Sequence, residues 1–338
     1  MIISGNSAAF FAMLSFLLPL LSLLSVAQPP TPTPRSRTFT FDYTATIPAQ
    51  PAGTRTVDLW LPVPHDDKSQ DIRDLQVTSP VPYDIQTGVY GNRILHLRAT
   101  GPALQGFTVD MRLRATRREH LAPALSGQRP PREAPDPNLQ RWLAPDSLVP
   151  LDPQIRLWAL EVAIKAQAKT NLEKARAVYE HVVSTVKYDK TGQGWGRGDI
   201  YYACDARRGN CTDFHAVFIG YCRALGIPAR FSIGFPLPPE RGAAEIKGYH
   251  CWAEFYTPET GWVPVDASEA AKNPDRRNYF FGAHDENRLE FTRGRDLVLV
   301  PRQNNPALNY FIYPYAEADG KPLTGIKQEF RVQDLVKK

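Results

Sequence analysis

The strongest helical pattern in the chain lies between residues 211 and 225. Apolar side chains recur there every three or four residues, as on one face of an α-helix, at Phe214, Val217, Phe218, Tyr221, Cys222 and Leu225. Asn210 is a favoured N-cap, and Asp213 stands three positions later, where a capping box needs an acceptor. Gly226 and Pro228 end the helix. The pattern predicts a helix with one buried face and with Cys211 in its first turn.

Two runs rich in aromatic and β-branched residues follow, at 248–256 and 262–266, with a turn between them. This arrangement predicts a β-hairpin. Side chains alternate between the two faces of a strand, and one face of the first run carries His250, Trp252, Glu254 and Tyr256. If Tyr256 lies opposite Trp262, then Asp266 is a diagonal neighbour of His250 on that face, within reach of a hydrogen bond. A slip of one residue would separate the two side chains.

These two elements bring together three residue types that suit nucleophilic catalysis. The start of a helix favours a thiolate over a thiol, because free N–H groups and the helix dipole stabilise negative charge there. A thiol nucleophile also needs a base, and the base needs a group that orients it. We therefore predict Cys211 as nucleophile, His250 as general base and acid, and Asp266 as the residue that orients His250.

The remaining pattern divides the chain into two predicted domains. Short alternating runs at 38–46, 56–61, 93–98 and 107–114 predict an antiparallel module, a small β-sandwich, over residues 38–120. Residues 121–137 are rich in Pro and Arg and predict a linker. The second domain then covers residues 138–335.

Within the second domain the pattern predicts two helices before residue 187, at 153–169 and 172–186, with Asn171 as the cap of the second. Residues 187–206 predict a glycine-rich loop, and residues 236–247 predict a second loop long enough to overhang a cleft. Beyond Asp266, further strands are predicted at 279–282, 296–300 and 309–314.

Three short motifs follow one another in the second domain. They are Arg-x-Gly-x-Cys211-x-Asp with Gly-Ile-Pro-Ala-Arg after it, then His250-x-Trp252-x-Glu254, and then Gly261-Trp262-x-x-x-Asp266. In this order they resemble the transglutaminase-like superfamily, which includes transglutaminases, cysteine peptidases and peptide amidases. The resemblance covers about residues 184–315.

This resemblance implies an α+β fold with a papain-like core, in which a cysteine-bearing helix packs on an antiparallel β-sheet, here preceded by the small sandwich. It also implies a Cys–His–Asp triad of Cys211, His250 and Asp266. Animal transglutaminases use a tryptophan upstream of the cysteine to stabilise the oxyanion, which makes Trp195 a candidate for that role. Trp252 is a candidate wall of the cleft, with core packing as the alternative.

The N-terminal 27 residues carry no charged side chain and end in Ser25, Val26 and Ala27. An apolar stretch that ends in small residues predicts a secretory signal peptide, cut after Ala27. An uncleaved membrane anchor is the alternative, because the stretch approaches membrane-spanning length. Residues 28–37 are a proline-rich spacer. We therefore expect an exported protein, periplasmic or extracellular, with membrane contact only if the segment stays uncleaved.

The composition limits which partners the protein is expected to bind and how many disulfides it can form. A net charge of +5 over 338 residues gives little support for nucleic-acid binding, so the expected partner is a protein or peptide substrate. If Cys211 stays free for chemistry, at most one intramolecular disulfide can form, and its pairing is open among Cys204, Cys222 and Cys251. Cys222 and Cys251 are predicted to be buried thiols.

The expected chemistry is acyl transfer through a thioester, without a cofactor. A zinc site of Cys211, His215 and His250 is the metal alternative, but neither a paired Cys-x-x-Cys nor a His-Glu-x-x-His motif accompanies these residues. The predicted function is a transglutaminase-like cysteine hydrolase of peptide or amide bonds. The alternatives are a cross-linking protein-glutamine gamma-glutamyltransferase and a catalytically silent scaffold that binds peptides.

Overall fold

The computed structural model describes residues 33–122 and 138–335, together with Met1 and Gly5. Most of the predicted signal peptide, the start of the spacer and residues 123–137 of the predicted linker lie outside the described residues. Within the described ranges, no helix is both long and apolar enough to cross a membrane. Residues Pro34–Lys338 form one compact unit.

The described residues contain five α-helices and several short 3-10 helices. The α-helices are α1 (Pro153–Lys165), α2 (Asn171–Thr185), α3 (Ile200–Ala206), α4 (Cys211–Ala224) and α5 (Ala267–Lys272).

The strands, in chain order, are β1 (Ser36–Ile47), β2 (Val57–Val63), β3 (Gln70–Thr78), β4 (Tyr83–Thr87), β5 (Arg93–Ala99), β6 (Phe107–Arg118), β7 (His120–Leu121), β8 (Lys187–Tyr188), β9 (Arg208–Gly209), β10 (Ala229–Pro236), β11 (Ala243–Glu245), β12 (His250–Thr257), β13 (Gly261–Val265), β14 (Ala283–His284), β15 (Arg288–Arg293), β16 (Tyr315–Ala318), β17 (Lys321–Pro322) and β18 (Lys327–Asp334).

Two five-stranded sheets include the strands predicted for residues 38–120, but other parts of the chain complete both of them. Their orders are β11–β18–β1–β6–β3 and β17–β16–β2–β5–β4. β18 pairs with β1 from Phe39 opposite Asp334 to Thr46 opposite Lys327, and β16 pairs with β2. Both sheets therefore combine strands from before and after the predicted linker at residues 121–137.

An aromatic cluster joins the first of these sheets to the sheet that carries the motifs. Phe235 of β10 lies at its centre, with ring centroids 5.2 Å from Phe41 of β1 and 4.3 Å from Phe330 of β18. Phe291 of β15 adds a perpendicular contact with Phe235 at 5.2 Å. Rings of this kind bury large apolar areas, and their edge-to-face packing adds stability. The cluster makes one hydrophobic core out of the two predicted domains.

The motif-bearing sheet has four antiparallel strands in the order β13–β12–β10–β15. The predicted hairpin is confirmed, with Tyr256 opposite Trp262 and Ala253 opposite Val265. Pro264 lies in β13, the edge strand, where a missing N–H costs no ladder bond inside the sheet. The fold is therefore mixed, with α-helices and mainly antiparallel sheets, and a cysteine-bearing helix packs on one of these sheets, as the sequence predicts.

Helix α4 differs from its predicted pattern in one respect. The sequence indicates one buried face, but every residue from Cys211 to Arg223 is buried. Helices α1, α2, α3 and α5 and strands β10 and β12 all pack against it. α4 is therefore the central helix, and polar residues on its other faces are held by neighbours rather than by water.

Several local predictions were wrong. Helix α2 is capped by Thr170 rather than Asn171, because only Thr170 has Glu173 three residues later, and the two form a capping box. The predicted loop 187–206 ends in helix α3, which Asp199 caps. Part of the predicted loop 236–247 is β11, which pairs with β18.

The strands predicted at 279–282, 296–300 and 309–314 are irregular segments instead. Apolar residues of the last two, such as Leu297 and Phe311, are buried with Trp60 and Ile94 in a small second cluster. Their hydrophobicity therefore reflects tertiary packing rather than a strand ladder.

The ion pair between β1 and β18 gives a test of this shared core. Arg37 is 3% exposed and donates two hydrogen bonds to Asp334, from Nε at 2.7 Å and from NH2 at 2.8 Å. Arg37→Met removes two charge-assisted hydrogen bonds but leaves Asp334 with the Gly242 N–H at 2.7 Å and with Arg241 at 3.9 Å, so we expect the free energy of unfolding to fall by roughly 1–3 kcal/mol. The control Arg331→Met removes an exposed pair with Glu329 on β18 and should change little. Equal urea midpoints for both variants would contradict the prediction.

Candidate active site

The first turn of α4 presents Cys211 with a free backbone donor. Asn210 is the N-cap, and its Oδ1 accepts the Thr212 N–H at 2.9 Å. The Asn210 carbonyl accepts the N–H groups of Asp213 and Phe214 at 3.1 and 3.2 Å. Among the described residues no acceptor contacts the N–H of Cys211 itself. This N–H is available to an oxyanion beside the thiol.

The Asp213 side chain explains why the capping box uses Asp. Its carboxylate accepts the N–H of Asn210 at 2.9 Å, and also those of Gly196 and Gly198 at 2.7 and 3.0 Å. It therefore fixes the glycine-rich loop against the start of α4. Gly209 has φ +154°, and a Cβ there would lie 2.1 Å from Asp213 Oδ2. The spacing Gly209-x-Cys211-x-Asp213 is thus a steric requirement of this turn.

His250 and Asp266 meet as the hairpin register predicts. His250 is the first residue of β12, and Asp266 directly follows β13 and caps α5. His250 Nε2 lies 2.7 Å from Asp266 Oδ2. That bond leaves Nδ1 as the free ring nitrogen of His250, and the His250 side chain interacts electrostatically with the Cys211 thiol. Cys211, His250 and Asp266 therefore form one electrostatically connected group.

Asp266 is completely buried, and both of its oxygens are occupied. Oδ1 accepts the Ser268 hydroxyl and the Glu269 N–H, each at 3.0 Å. Oδ2 accepts Arg288 NH1 at 3.1 Å in addition to the bond from His250. Arg288 was not predicted from the sequence, because it lies in β15 and outside all three motifs.

A second histidine ties α4 to α5, the helix that Asp266 caps. His215 Nε2 accepts the Ala267 N–H at 3.2 Å, so its proton is on Nδ1, which donates to the Cys211 carbonyl at 2.8 Å. Burial lowers the pKa of His215, in agreement with this neutral form. Nε2 is also 3.8 Å from Asp266 Oδ1. His215 is a structural bridge beside the thiol.

The electrostatics of the site favour a thiolate–imidazolium pair. Burial alone would raise the pKa of Cys211, but hydrogen bonds from Cys251 and His250 and the charge of His250 lower it well below its usual value. Burial would lower the pKa of His250, but the charge and hydrogen bond of Asp266, with help from Cys211, raise it to about 10. Between these two pKa values, both charged forms coexist.

The position of Cys251 beside Cys211 was not predicted from the sequence. The two thiols interact electrostatically, and the Cys251 sulfur lies 3.8 Å from Thr212 Oγ1 and 3.7 Å from His215 Nδ1. Burial and the neighbouring thiolate raise the pKa of Cys251 well above its usual value, so it stays a neutral donor. All four cysteines, including Cys204 and Cys222, are free thiols.

Four tyrosine side chains lie close enough to Cys211 to interact with it electrostatically. Tyr249 accepts a hydrogen bond from Asn210 Nδ2 at 3.0 Å, and its hydroxyl lies 2.9 Å from Thr212 Oγ1. Burial and the negative charge of Cys211 raise the pKa of four phenols, those of Tyr188, Tyr249, Tyr310 and Tyr313. The surroundings of the thiol are therefore largely aromatic, and Cys211 itself is 2% exposed.

The two tryptophan candidates occupy different environments. The indole N–H of Trp195 donates to the Gly192 carbonyl at 3.2 Å, within its own loop, so it is not free for an oxyanion. Trp252 is buried and does not line an open cleft. Its ring lies 5.9 Å from that of His250, and the Arg288 guanidinium lies 4.9 Å above it. The Trp252 ring therefore packs beside the His250 ring inside the core.

The described residues contain no group of three or more His, Cys, Asp and Glu side chains arranged to hold a metal ion. Cys211, His215 and His250 do come close together, but the bonds of the two histidines are directed elsewhere, to Ala267, the Cys211 carbonyl and Asp266.

Known proteins resemble this chain in sequence or in structure. An uncharacterized protein of Haemophilus influenzae is 28% identical over 319 residues, which cover 83% of this chain and 86% of that protein. The uncharacterized protein YebA of Bacillus subtilis is 26% identical over 144 residues, 38% of this chain and 19% of its own length. The crystal structure of a candidate cysteine protease from Cytophaga hutchinsonii superposes with a TM-score of 0.60 at 17% identity, over 90% of this chain and 92% of that one.

A family match gives the identity of the core. Residues 159–267 match the transglutaminase-like superfamily, and the matched range contains Cys211, His250 and Asp266. The structural match from Cytophaga hutchinsonii shows the same fold beyond that range. Residues 159–267 of this chain are thus a domain of the transglutaminase-like superfamily.

Proposed function

We propose that this protein is a thiol-dependent enzyme that transfers acyl groups from peptide or amide bonds through a thioester on Cys211. The observation that carries the proposal is the connected set of Cys211, His250 and Asp266, with the 2.7 Å bond from His250 to Asp266 at its centre. The interaction of Cys211 with His250 and the bond of His250 to Asp266 support the roles of nucleophile, base and orienting group that such chemistry needs.

In the first half of the reaction the Cys211 thiolate attacks the carbonyl carbon. The carbonyl oxygen becomes negative during this attack, and the free N–H of Cys211 donates a hydrogen bond to it. The His250 imidazolium gives its proton to the departing amine, and a thioester remains. In the second half His250 removes a proton from the acceptor that attacks the thioester. Collapse of that intermediate releases the acyl product and restores the thiolate.

We propose water as the acceptor. The segment before His250 carries Arg241 and Lys247, whose charge opposes the approach of a protonated lysine, although Glu240 and Glu245 of the same segment counter it. Arg241 is 47% exposed and lies 3.3 Å from Glu286, which offsets part of that charge. A cross-linking transglutaminase is the second candidate, because the buried thiol and its four tyrosines would shield a thioester from water. A silent peptide-binding scaffold is the third.

We further propose that the chain is exported and acts in the cell envelope or outside the cell. The support is the uncharged N-terminal stretch that ends in Ser25, Val26 and Ala27. A protein or peptide of that compartment is then the substrate.

The thiolate can be tested without any substrate. At about pH 6, well below the usual thiol pKa of ~8.5, iodoacetamide should modify Cys211 before the other cysteines. Burial raises the pKa of Cys204 and of Cys222, so these thiols serve as internal controls. His250→Ala should remove the advantage of Cys211, because the imidazolium is lost. Peptide mass spectrometry measures the four rates, and equal rates for Cys211 and Cys222 would rule out an activated nucleophile.

Activity and acceptor can be measured together by mass spectrometry on glutamine-containing peptides and cell-envelope peptides with added monodansylcadaverine. We expect cleavage or deamidation to exceed amine incorporation. Cys211→Ala and His250→Ala should each lose activity by several orders of magnitude, because the two side chains act as a unit.

Cys222→Ala is the matched control, since it removes a buried thiol from the same helix, away from the first turn. Predominant amine incorporation would make the protein a transglutaminase. Turnover that survives Cys211→Ala would refute the thioester mechanism, and peptide binding without turnover in the unaltered protein would indicate a scaffold.

Export can be tested in the native host. N-terminal sequencing of protein from the cell envelope should begin near Gln28. Ala27→Asp should retain the precursor, because a charged side chain does not suit the small-residue cleavage site. A membrane fraction that holds the chain with Met1 intact would show an anchor instead.

A further inference from the structure

The Asp266 carboxylate lies between two cationic partners. His250 and Arg288 both donate to its Oδ2, at 2.7 and 3.1 Å. The charge of His250 changes during acyl transfer, but an arginine stays protonated throughout. Among the described residues Arg288 is the permanently charged group in contact with Asp266. It therefore remains the counterion whenever His250 is neutral.

Arg288 is itself held firmly. It is 2% exposed, and its Nε and NH2 lie 3.4 and 3.3 Å from Asp285 Oδ1. Its guanidinium lies 4.9 Å from the centre of the Trp252 ring, which also packs against His250. Two carboxylates and one aromatic face thus fix both the position and the plane of the guanidinium.

We propose that Arg288 is a positioning residue that acts through Asp266 to set the proton affinity of His250. This inference rests on the proposed role of His250 as acid and base. Without Arg288, Asp266 would exert its full negative charge on His250, and the imidazolium would hold its proton too strongly to release it to a leaving amine. With Arg288 in place, His250 and Arg288 share the negative charge of Asp266. Asp266 then stays ionised even when His250 is neutral.

Other ionisable groups also lie near Asp266 and His250 and influence the proton affinity of His250. Glu269 Oε1 of α5 lies 3.9 Å from His250 Nε2. Further groups that interact electrostatically with Asp266 or His250 are Asp285, Cys211, His215, Cys251, Tyr179, Tyr188 and His284, and none of them is a permanent cation. Lys272 is a permanent cation, but its ion pair is with Glu269. Arg288 is therefore the cation in direct contact with Asp266 when His250 is neutral.

The test is the pKa of His250, measured by NMR of ring-labelled protein in a Cys211→Ala background, where no thiolate contributes. Arg288→Met removes a positive charge, which raises the proton affinity of a nearby base. We expect the pKa of His250 to rise by roughly one pH unit. Arg288→Lys keeps the charge and should restore most of the original value. Equal values for the parent, Met and Lys proteins would refute the proposal.

Asp285→Asn gives a second arm with the opposite sign. It removes an anion that contacts Arg288 but leaves the bond between Arg288 and Asp266 in place. We expect the pKa of His250 to fall. This arm decides the question if Arg288→Met does not fold, and an unchanged or higher pKa in Asp285→Asn would then overturn the proposal.

Arg223→Met is the matched control for the loss of a buried arginine. Arg223 is 4% exposed and binds Asp146 at 2.8 Å, at the far end of α4 from Cys211. It should lower stability without moving the pKa of His250, and an equal shift there would refute a specific role for Arg288. The measurement needs no turnover, so a protein inactive on all amides could still show these shifts. In that case the proposed function would fail and the electrostatic link would stand.

Discussion

The structure depends most on the burial of helix α4 from every side. A helix in contact with solvent on one face can slide or tilt at little cost, but α4 is enclosed by four helices and two strands. Close packing of this kind resists displacement. It fixes the first turn, and with it Cys211, relative to the start of β12 and the end of β13. The hydrogen bonds of the site depend on this fixed position of the first turn of α4.

The same burial forces the site to balance its own charges. Around the thiol, water is largely excluded, so each ionised group needs a partner in the protein. The positive His250 lies between the negative Cys211 and Asp266, and Arg288 lies beyond Asp266. Asp285 then neutralises Arg288. This alternation of sign lets a buried site hold five ionised groups, and a neutral form of any one member changes the proton affinity of its neighbours.

The sequence predicted those parts of the molecule that are set by local pattern. Period and caps were sufficient for α4, and the turn between two aromatic runs was sufficient for the register that joins His250 to Asp266. It could not predict contacts between distant segments. Arg288, which contacts Asp266, lies in the distant strand β15. Cys251 follows His250 in β12 and is expected on the opposite face of that strand, yet both side chains interact with Cys211. Strand β18 was missed because only Phe330 and Val332 of its eight residues are buried.

The pairing of β1 with β18 has a consequence for the order in which the molecule can be made. Arg37 and Asp334, which join these strands, are 297 positions apart in the chain. During synthesis one edge of β1 stays unpaired until Asp334 has been made, and open edges invite pairing with other chains. Phe330 of β18 also packs on Phe235 of β10, the strand beside β12. A polypeptide that stops short of β18 therefore lacks both the partner of β1 and one ring of the shared aromatic core, so this sheet can close only after β18 has been made.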